Sequence, residues 1–393
     1  MRMTLISHIA AGFGWMVVVL AAVGSLYTAT TVVLVLRFFD PRQRASTDDT
    51  AAASASSETI SLLKPLHGAE AGLRQNLAAH FLQQLQNPLQ IVFGVQRSDD
   101  PAASVARTVM ADYPQVPAAL AIGDRPAVPN RKIANLIQMR PLARGDILVL
   151  IDSDIRPPPD HLRRVLAALA KPGVGIVTCP YFGVGETGLW SDVAGMGISY
   201  QFLPNVITGV SLGMAKPCMG STIALRHETL ERIGGFDAFG GVLADDYAMG
   251  AAVRSLGLSS AMATSLVAHG CCERSLGEVV RHELRWARTV KGVDFAGHAG
   301  SLVTHPVPLA AIAAILTGFA PPAVVVLAAA VVARFLLAAA IDRAAQRRGR
   351  LLWLLPLRDM LSFAVFVGSF LGRAVEWRGE KFHVTTNGDL SPV

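Results

Sequence analysis

Apolar and polar residues come in blocks along this chain. Residues 9–39 are almost all Val, Leu, Ala and other uncharged side chains, a run long enough to cross a hydrocarbon core of about 30 Å as a helix. Arg37, Arg42 and Arg44 flank its end. That flank reads as a stop-transfer signal on a retained anchor with its N-terminus outside, against the alternative of a cleaved leader. Residues 44–58, RASTDDTAAASASSE, are small, polar and repetitive, so 40–58 reads as a linker that cannot build a core. From residue 60 to about 300, short apolar runs alternate with amphipathic ones. ISLLKPL, LQIVFGVQ, AALAIG and DILVLIDSD predict strands, and 73–85, 102–110 and 133–139 predict helices. This alternation predicts an α/β domain over 59–300, its mostly parallel sheet covered on both faces. Apolar runs then return at 306–319, at 323–340 broken only by Arg334, and at 360–371. The middle run is long enough to span, while the outer two suit tilted, re-entrant or interfacial helices. Residues 301–378 therefore read as membrane segments and 379–393 as a polar tail.

Composition agrees with this division. Hydrophobic residues make up 52% and charged residues 16% of the 393, and the mean hydropathy of +0.42 exceeds that of ordinary soluble enzymes. The net charge of +6 raises the question of nucleic acid, but the basic residues form no stripe interleaved with aromatics. Many flank apolar runs instead, as Arg343, Arg347, Arg348 and Arg350 do, which marks those flanks as cytoplasmic. Cys179, Cys218, Cys271 and Cys272 contain no C-x-x-C pair and read as buried or free thiols in a reducing compartment.

The polar signals lie between the apolar ends. ILVLIDSDIRPPPDHL places Asp152 and Asp154 directly after a buried strand, where open α/β sheets bind ligands. Two carboxylates on one turn suit a divalent ion such as magnesium or manganese bridging a diphosphate, or are simply a solvated turn. LADDYAMG puts Asp245 and Asp246 at a helix start; one can cap the helix while the other serves as a general base. RHELRWART brings Arg281, His282, Arg285 and Trp286 together on successive helical turns, as an exposed basic face or as a pyrophosphate contact. Asp99 and Asp100 follow the strand IVFGVQ, within reach of a nucleotide, and Lys132 and Asn135 open a helix, where an anion is favoured. His269 in SLVAHG, apparently following a strand, is either a core histidine or part of a metal shell. Residues 179–219 mix Tyr181, Phe182, Trp190, Tyr200 and Phe202 with glycines, a composition suited to a lipid groove or to ordinary core.

The order of these signals resembles the family 2 type inverting glycosyltransferases of GT-A fold, and within them the ceramide-glucosyltransferase-like branch. Its pattern, an early Asp, a D-x-D or related second Asp, a third Asp and (Q/R)-x-x-R-W, falls on Asp100, Asp152, Asp246 and the stretch from His282 to Trp286. His282 departs from Gln or Arg at the first position of the last motif. SLLKPLHG, IVFGVQ, PNRKIANL, DSDIRP, KPCMGSTIALR, LADDYAMG, RHELRWART and VTHPVPL together resemble hopanoid-biosynthesis-associated glycosyltransferases. The resemblance implies transfer of N-acetylglucosamine from its UDP donor to bacteriohopanetetrol with inversion, with glucosylation of ceramide from UDP-glucose as the alternative. It implies Asp246 as base, with Arg285 and Trp286 beside it at the reaction centre. Asp100, Lys132, Asp152 and His282 would hold the donor, and Asp152 and Asp154 the metal. It further implies a multi-pass enzyme of the bacterial inner membrane, its catalytic domain facing the cytoplasm, with no nucleic-acid partner.

Overall fold

The computed structural model describes residues 2–40, 57–123, 128–372, 374–377, 380–384 and 390–392. Nearly all of the 40–58 stretch lies outside the described residues. Ile60–Pro65 (β1), Leu89–Val95 (β2), Ala118–Ile122 (β3) and Ile147–Leu150 (β4) pair in parallel, in the order β3-β2-β1-β4. A short antiparallel pair, Ile155–Arg156 (β5) with Val267–Cys271 (β10), follows the turn after β4, and Tyr181–Gly185 (β7) joins β10 in parallel. Val174–Thr178 (β6), Ile223–Arg226 (β8) and Ser259–Met262 (β9) complete a seven-stranded sheet of order β3-β2-β1-β4-β8-β6-β9, in which β8 alone runs against its neighbours.

These strands are apolar on both faces because both faces are covered. Leu62, Ile91, Phe93 and Val149 enter one buried cluster, whereas Leu63, Val92, Leu148 and Leu150 enter the other. Helix Arg131–Met139 sits tight on β2, since a Cβ at Gly94 would lie 2.4 Å from Met139 Sδ and 2.3 Å from Asn135 Oδ1. The predicted strands and helices of the α/β part appear within a few residues of the bounds read from the sequence. His269 is an exception of detail: it lies within β10, not after it.

Among the described residues three helices, Gly12–Phe38, Pro321–Ala344 and Leu352–Ser369, are long and apolar enough to cross a membrane. A bent pair, Phe295–Thr304 with Pro306–Leu316, folds by 64° and makes up to four. The run 360–371 thus belongs to a longer helix than its hydropathy suggested. Arg358 and Asp359 interrupt the pattern, yet both are buried and paired: Asp359 accepts from Arg334 at 2.8 and 2.6 Å, and Arg358 contacts Glu283. The N-terminal helix is tied to helix Leu203–Ser211 through Tyr27 Oη donating to Asn205 (3.0 Å) and through the Thr31 and Thr208 hydroxyls (2.9 Å). Ala374–Trp377 (β11), Glu380–Val384 (β12) and Leu390–Pro392 (β13) form a separate antiparallel sheet, where the sequence suggested the end of the membrane segments and a polar tail.

Candidate active site

Asp152 and Asp154 leave the carboxyl end of β4 on a turn whose main-chain carbonyls are held. Lys64 Nζ donates to the Asp152 carbonyl at 2.8 Å, Asn76 Nδ2 to the Ser153 carbonyl at 3.3 Å, and Gly270 N to the Asp154 carbonyl at 2.9 Å. Lys64 is itself buried in β1 and also contacts Ile155 O (3.0 Å) and His80 Nε2 (2.9 Å). Burial pushes its amine down to about 7, with Asp154 and Asp152 pulling the other way. Sequence reasoning missed this residue, although a lysine inside the apolar strand ISLLKPL is a signal, because a buried cation needs partners.

Helix Asp245–Ser255 brings up the second acidic pair. Neither Asp is its N-cap, a place taken by Ala244 without a side-chain bond. Asp245 is buried, accepts from Asn130 Nδ2 at 3.1 Å and faces Lys132 Nζ at 3.3 Å. Lys132 pairs more closely with Asp152 Oδ1, at 2.8 Å. The helix start anticipated for an anion is thus capped by Asn130, and its lysine bridges two carboxylates. Burial opposes the lysine's charge, but Asp152, Asp245 and Asp246 overcome it and hold the ammonium well above the usual lysine range. Asn135, by contrast, is spent on the Leu66 and Gly94 carbonyls.

Asp246 is half-buried, and its Oδ2 accepts the Gly220 N–H at 2.9 Å. Gly220 O in turn accepts from Asp152 N at 3.2 Å, so one residue joins both acidic motifs. A Cβ there would lie 2.4 Å from Asp152 Oδ2 and 2.8 Å from Lys132 Nζ, so a larger residue would displace the Asp152–Lys132 pair. Burial, then the charge of Asp245, push the Asp246 carboxyl up to about 6, against the pull of Lys132. A carboxylate tuned in this way exchanges protons near neutral pH.

Asp154 has the freer carboxylate of the D-x-D pair. Its Oδ2 lies 3.4 Å from His269 Nε2, and its Oδ1 is buried with no hydrogen-bond partner among the described residues. Oxygen and imidazole donors of this kind suit magnesium or manganese with phosphate oxygens completing the shell. Among the described residues no group of three or more His, Cys, Asp or Glu side chains is arranged to hold a metal without such help.

Aromatic rings continue from His269. Tyr181 stacks on it at 5.5 Å, Trp286 meets it edge-on at 6.1 Å, and Phe202 closes on Tyr181 (4.9 Å) and Trp286 (6.2 Å). Within helix Leu276–Val293, His282 packs against Trp286 at 4.5 Å while the neighbouring Arg281 is exposed, so His282 faces the aromatic cluster. Arg285 is half-buried on the same helix. Asp100 caps helix Pro101–Asp112, with Oδ1 taking Ala102 N and Gly68 N at 2.9 Å each and Oδ2 lying 3.2 Å from His67. Asp99 is exposed and paired with Arg97.

A mostly parallel α/β sheet, acidic residues gathered around the turn after β4, and helices on either side long and apolar enough to cross a membrane are the frame of a glycosyltransferase, a transferase enzyme. The family model of glycosyl transferase family 21 matches residues 16–390, and the chain belongs to that family. Ceramide glucosyltransferase 3 of Caenorhabditis elegans is 23% identical over 357 residues, covering 85% of this chain and 74% of that protein. Ceramide glucosyltransferase 1 of the same organism is 24% identical over 206 residues, or 52% of this chain and 44% of its own length. Among solved structures, a mannosyltransferase from Pyrobaculum calidifontis in complex with GDP-Man and Mn2+ is similar with a TM-score of 0.45 at 18% identity, covering 88% of this chain and 99% of that one. Glucosyl-3-phosphoglycerate synthase from Mycobacterium tuberculosis gives a TM-score of 0.40 at 20% identity, over 62% of this chain and 82% of that one.

Proposed function

We propose that the chain transfers a sugar, with inversion, from a nucleoside-diphosphate donor to the hydroxyl of a membrane lipid. The carrying observation is Asp246: a carboxylate raised to about 6 and joined through Gly220 to the D-x-D turn. It accepts the proton of the acceptor hydroxyl as that oxygen bonds to the anomeric carbon and the bond to the diphosphate oxygen breaks. Arg285 pairs with the departing diphosphate, and Trp286 packs against the reacting sugar. Lys132 and Asp152, with Asp100, fix the donor end. Asp152 and Asp154 would hold magnesium or manganese, with His269 beside them, and the cation when bound supplies Lewis-acid stabilisation of the leaving group.

The domain over 59–300 works between an N-terminal anchor and C-terminal membrane segments, at the cytoplasmic face of a bacterial inner membrane. Helices apolar enough to span on both sides of the α/β part support this, since they hold its cleft at the headgroup plane. Such a site favours an acceptor whose hydroxyl sits at that plane and whose body stays in lipid. The motif strings favour a hopanoid polyol, bacteriohopanetetrol, receiving N-acetylglucosamine from its UDP donor. The similarity to ceramide glucosyltransferases favours a second reading, ceramide with UDP-glucose. The deciding experiment offers the purified enzyme both lipids with both UDP-sugars and weighs the products. A mass gain on ceramide alone rejects the hopanoid reading, and no lipid product from any pair rejects both.

A further inference from the structure

Helix Leu189–Gly197 with the turn that follows it and helix Leu276–Val293 enclose a small cavity, beside helix Leu355–Ser369 of the membrane part. Ala194, Ile198, Val279 and Trp286 give it an apolar wall, while Glu273, His282 and Glu283 bring polar atoms to it. Two of these polar groups have capacity to spare. The Glu273 side chain is only 10% exposed, and its Oε1 lies 2.5 Å from His282 Nδ1. Its other oxygen, Oε2, is buried with no hydrogen-bond partner among the described residues. The contact between His282 Nδ1 and Glu273 fixes the ring and leaves Nε2 to meet a further polar group. Glu283 is already spent, since its Oε1 takes the Arg358 guanidinium, which also donates to Val193 O at 2.9 Å and Ser362 Oγ at 2.6 Å. Arg358 therefore locks the two helices and the membrane helix into one frame around the cavity. A buried acceptor left unpaired costs stability and persists where a ligand supplies the missing donor.

We infer that this cavity is a subsite for a second hydroxyl of the acceptor lipid, bound by Glu273 and His282. The inference rests on the reading of the chain as a lipid glycosyltransferase and narrows the acceptor to a polyhydroxylated one. The unpaired Glu273 oxygen calls for an O–H donor, whose oxygen meets His282 Nε2 as donor or acceptor, and the apolar wall with Trp286 suits the C–H surface between neighbouring hydroxyls better than a charged group. The aromatic contacts from His282 through Trp286 to His269, at 4.5 and 6.1 Å, run from the subsite toward Asp154. One hydroxyl held at His282 thus leaves the rest of the headgroup to extend toward the acidic cluster.

The test measures equilibrium binding of three short-chain probes of equal length, an alkane-1,2-diol, an alkan-1-ol and an alkylamine, to the full chain in nanodiscs. Wild type, Glu273→Gln, His282→Gln and His282→Ala are compared, with UDP-sugar affinity and the melting temperature measured on each. The diol should bind wild type about tenfold or more tighter than the mono-alcohol. That ratio should approach one in Glu273→Gln and His282→Ala, while UDP-sugar affinity holds. Equal binding of diol and mono-alcohol to wild type, tighter binding of the amine, or a fall in UDP-sugar affinity alone would overturn the subsite. Two variants that keep the diol preference while folded would do so as well. Lipid transfer assayed in parallel reports on the enzymatic reading separately: diol preference without any transfer would sink that reading and leave the subsite standing.

Discussion

Asp246 owes its expected reactivity to neighbours rather than to its own side chain. Burial and the Asp245 charge raise its pKa to about 6, so the deprotonated base is scarce below that pH and abundant above it. The rate of transfer should therefore climb as pH rises through about 6 and level off beyond, and Asp246→Glu should move that rise. A flat profile between pH 5 and 8 would remove Asp246 from proton transfer. Asp246→Asn should cut turnover by roughly 10² to 10⁴ with donor binding kept; equal loss of donor affinity would point to a binding role. Lys64 invites a different expectation. Lys64→Met keeps the bulk but removes the lysine's bonds to the Asp152 and Ile155 carbonyls, at about 0.5–1.5 kcal/mol for each bond lost, since Asp152 O keeps Ile155 N at 3.2 Å. A lower melting temperature together with weaker donor binding is expected, and a variant unchanged in both would show the lysine to be dispensable to the turn.

At the scale of elements, the D-x-D turn and β10 act as one unit, because Gly270 N anchors the turn and His269, one residue earlier, meets Asp154. The metal reading of Asp154 therefore extends to a strand more than a hundred positions along the chain. Chelation should abolish transfer, and magnesium or manganese should restore it. Asp154→Asn and His269→Ala should each raise the metal concentration for half activity. Full transfer in excess chelator would end the metal reading, and an effect of Asp154→Asn without one of His269→Ala would return His269 to the core. The sequence pattern showed the strand and the two carboxylates. It gave no sign that Lys132 would take Asp152 and leave Asp154 with the unpaired oxygen, because that choice depends on where helix Arg131–Met139 docks.

For the whole molecule, the apolar helices and the α/β part are bound by buried ions as well as by packing. Arg334 holds Asp359 by two bonds and donates to Tyr200 O at 2.7 Å, linking two apolar helices to the turn after helix Leu189–Gly197. Breaking one side of a buried pair costs about 3–5 kcal/mol, because the remaining charge is stranded. Arg334→Met and Asp359→Ala should each lower the melting temperature sharply. Replacing both by apolar residues should recover part of the loss, as a double-mutant cycle would measure. Additive losses in that cycle would mean the pair is not coupled. Arg358 plays the same part between Glu283 and helix Leu189–Gly197, where Gly197 has no room for a Cβ.

The chain's sequence alone determined the α/β plan, the apolar flanks and the identity of the acidic and Arg-Trp motifs, because period, hydropathy and short spacing are local properties. It drew the last apolar run shorter than the helix is, since Arg358 and Asp359 look like interruptions until their partners Glu283 and Arg334 are known. Glu273 lay in none of the motif strings, and Lys64 and Gly220 lay in SLLKPLHG and KPCMGSTIALR with no role assigned; their importance comes from contacts at 88 positions' separation for Lys64, 26 for Gly220 and 9 for Glu273. Tertiary structure alone decided which carboxylate is paired, which is left open and which is raised toward neutral pH. Those outcomes follow from burial and from distances of about 3 Å between residues far apart in the chain, and side-chain pairing at that range is what sets charge and proton affinity.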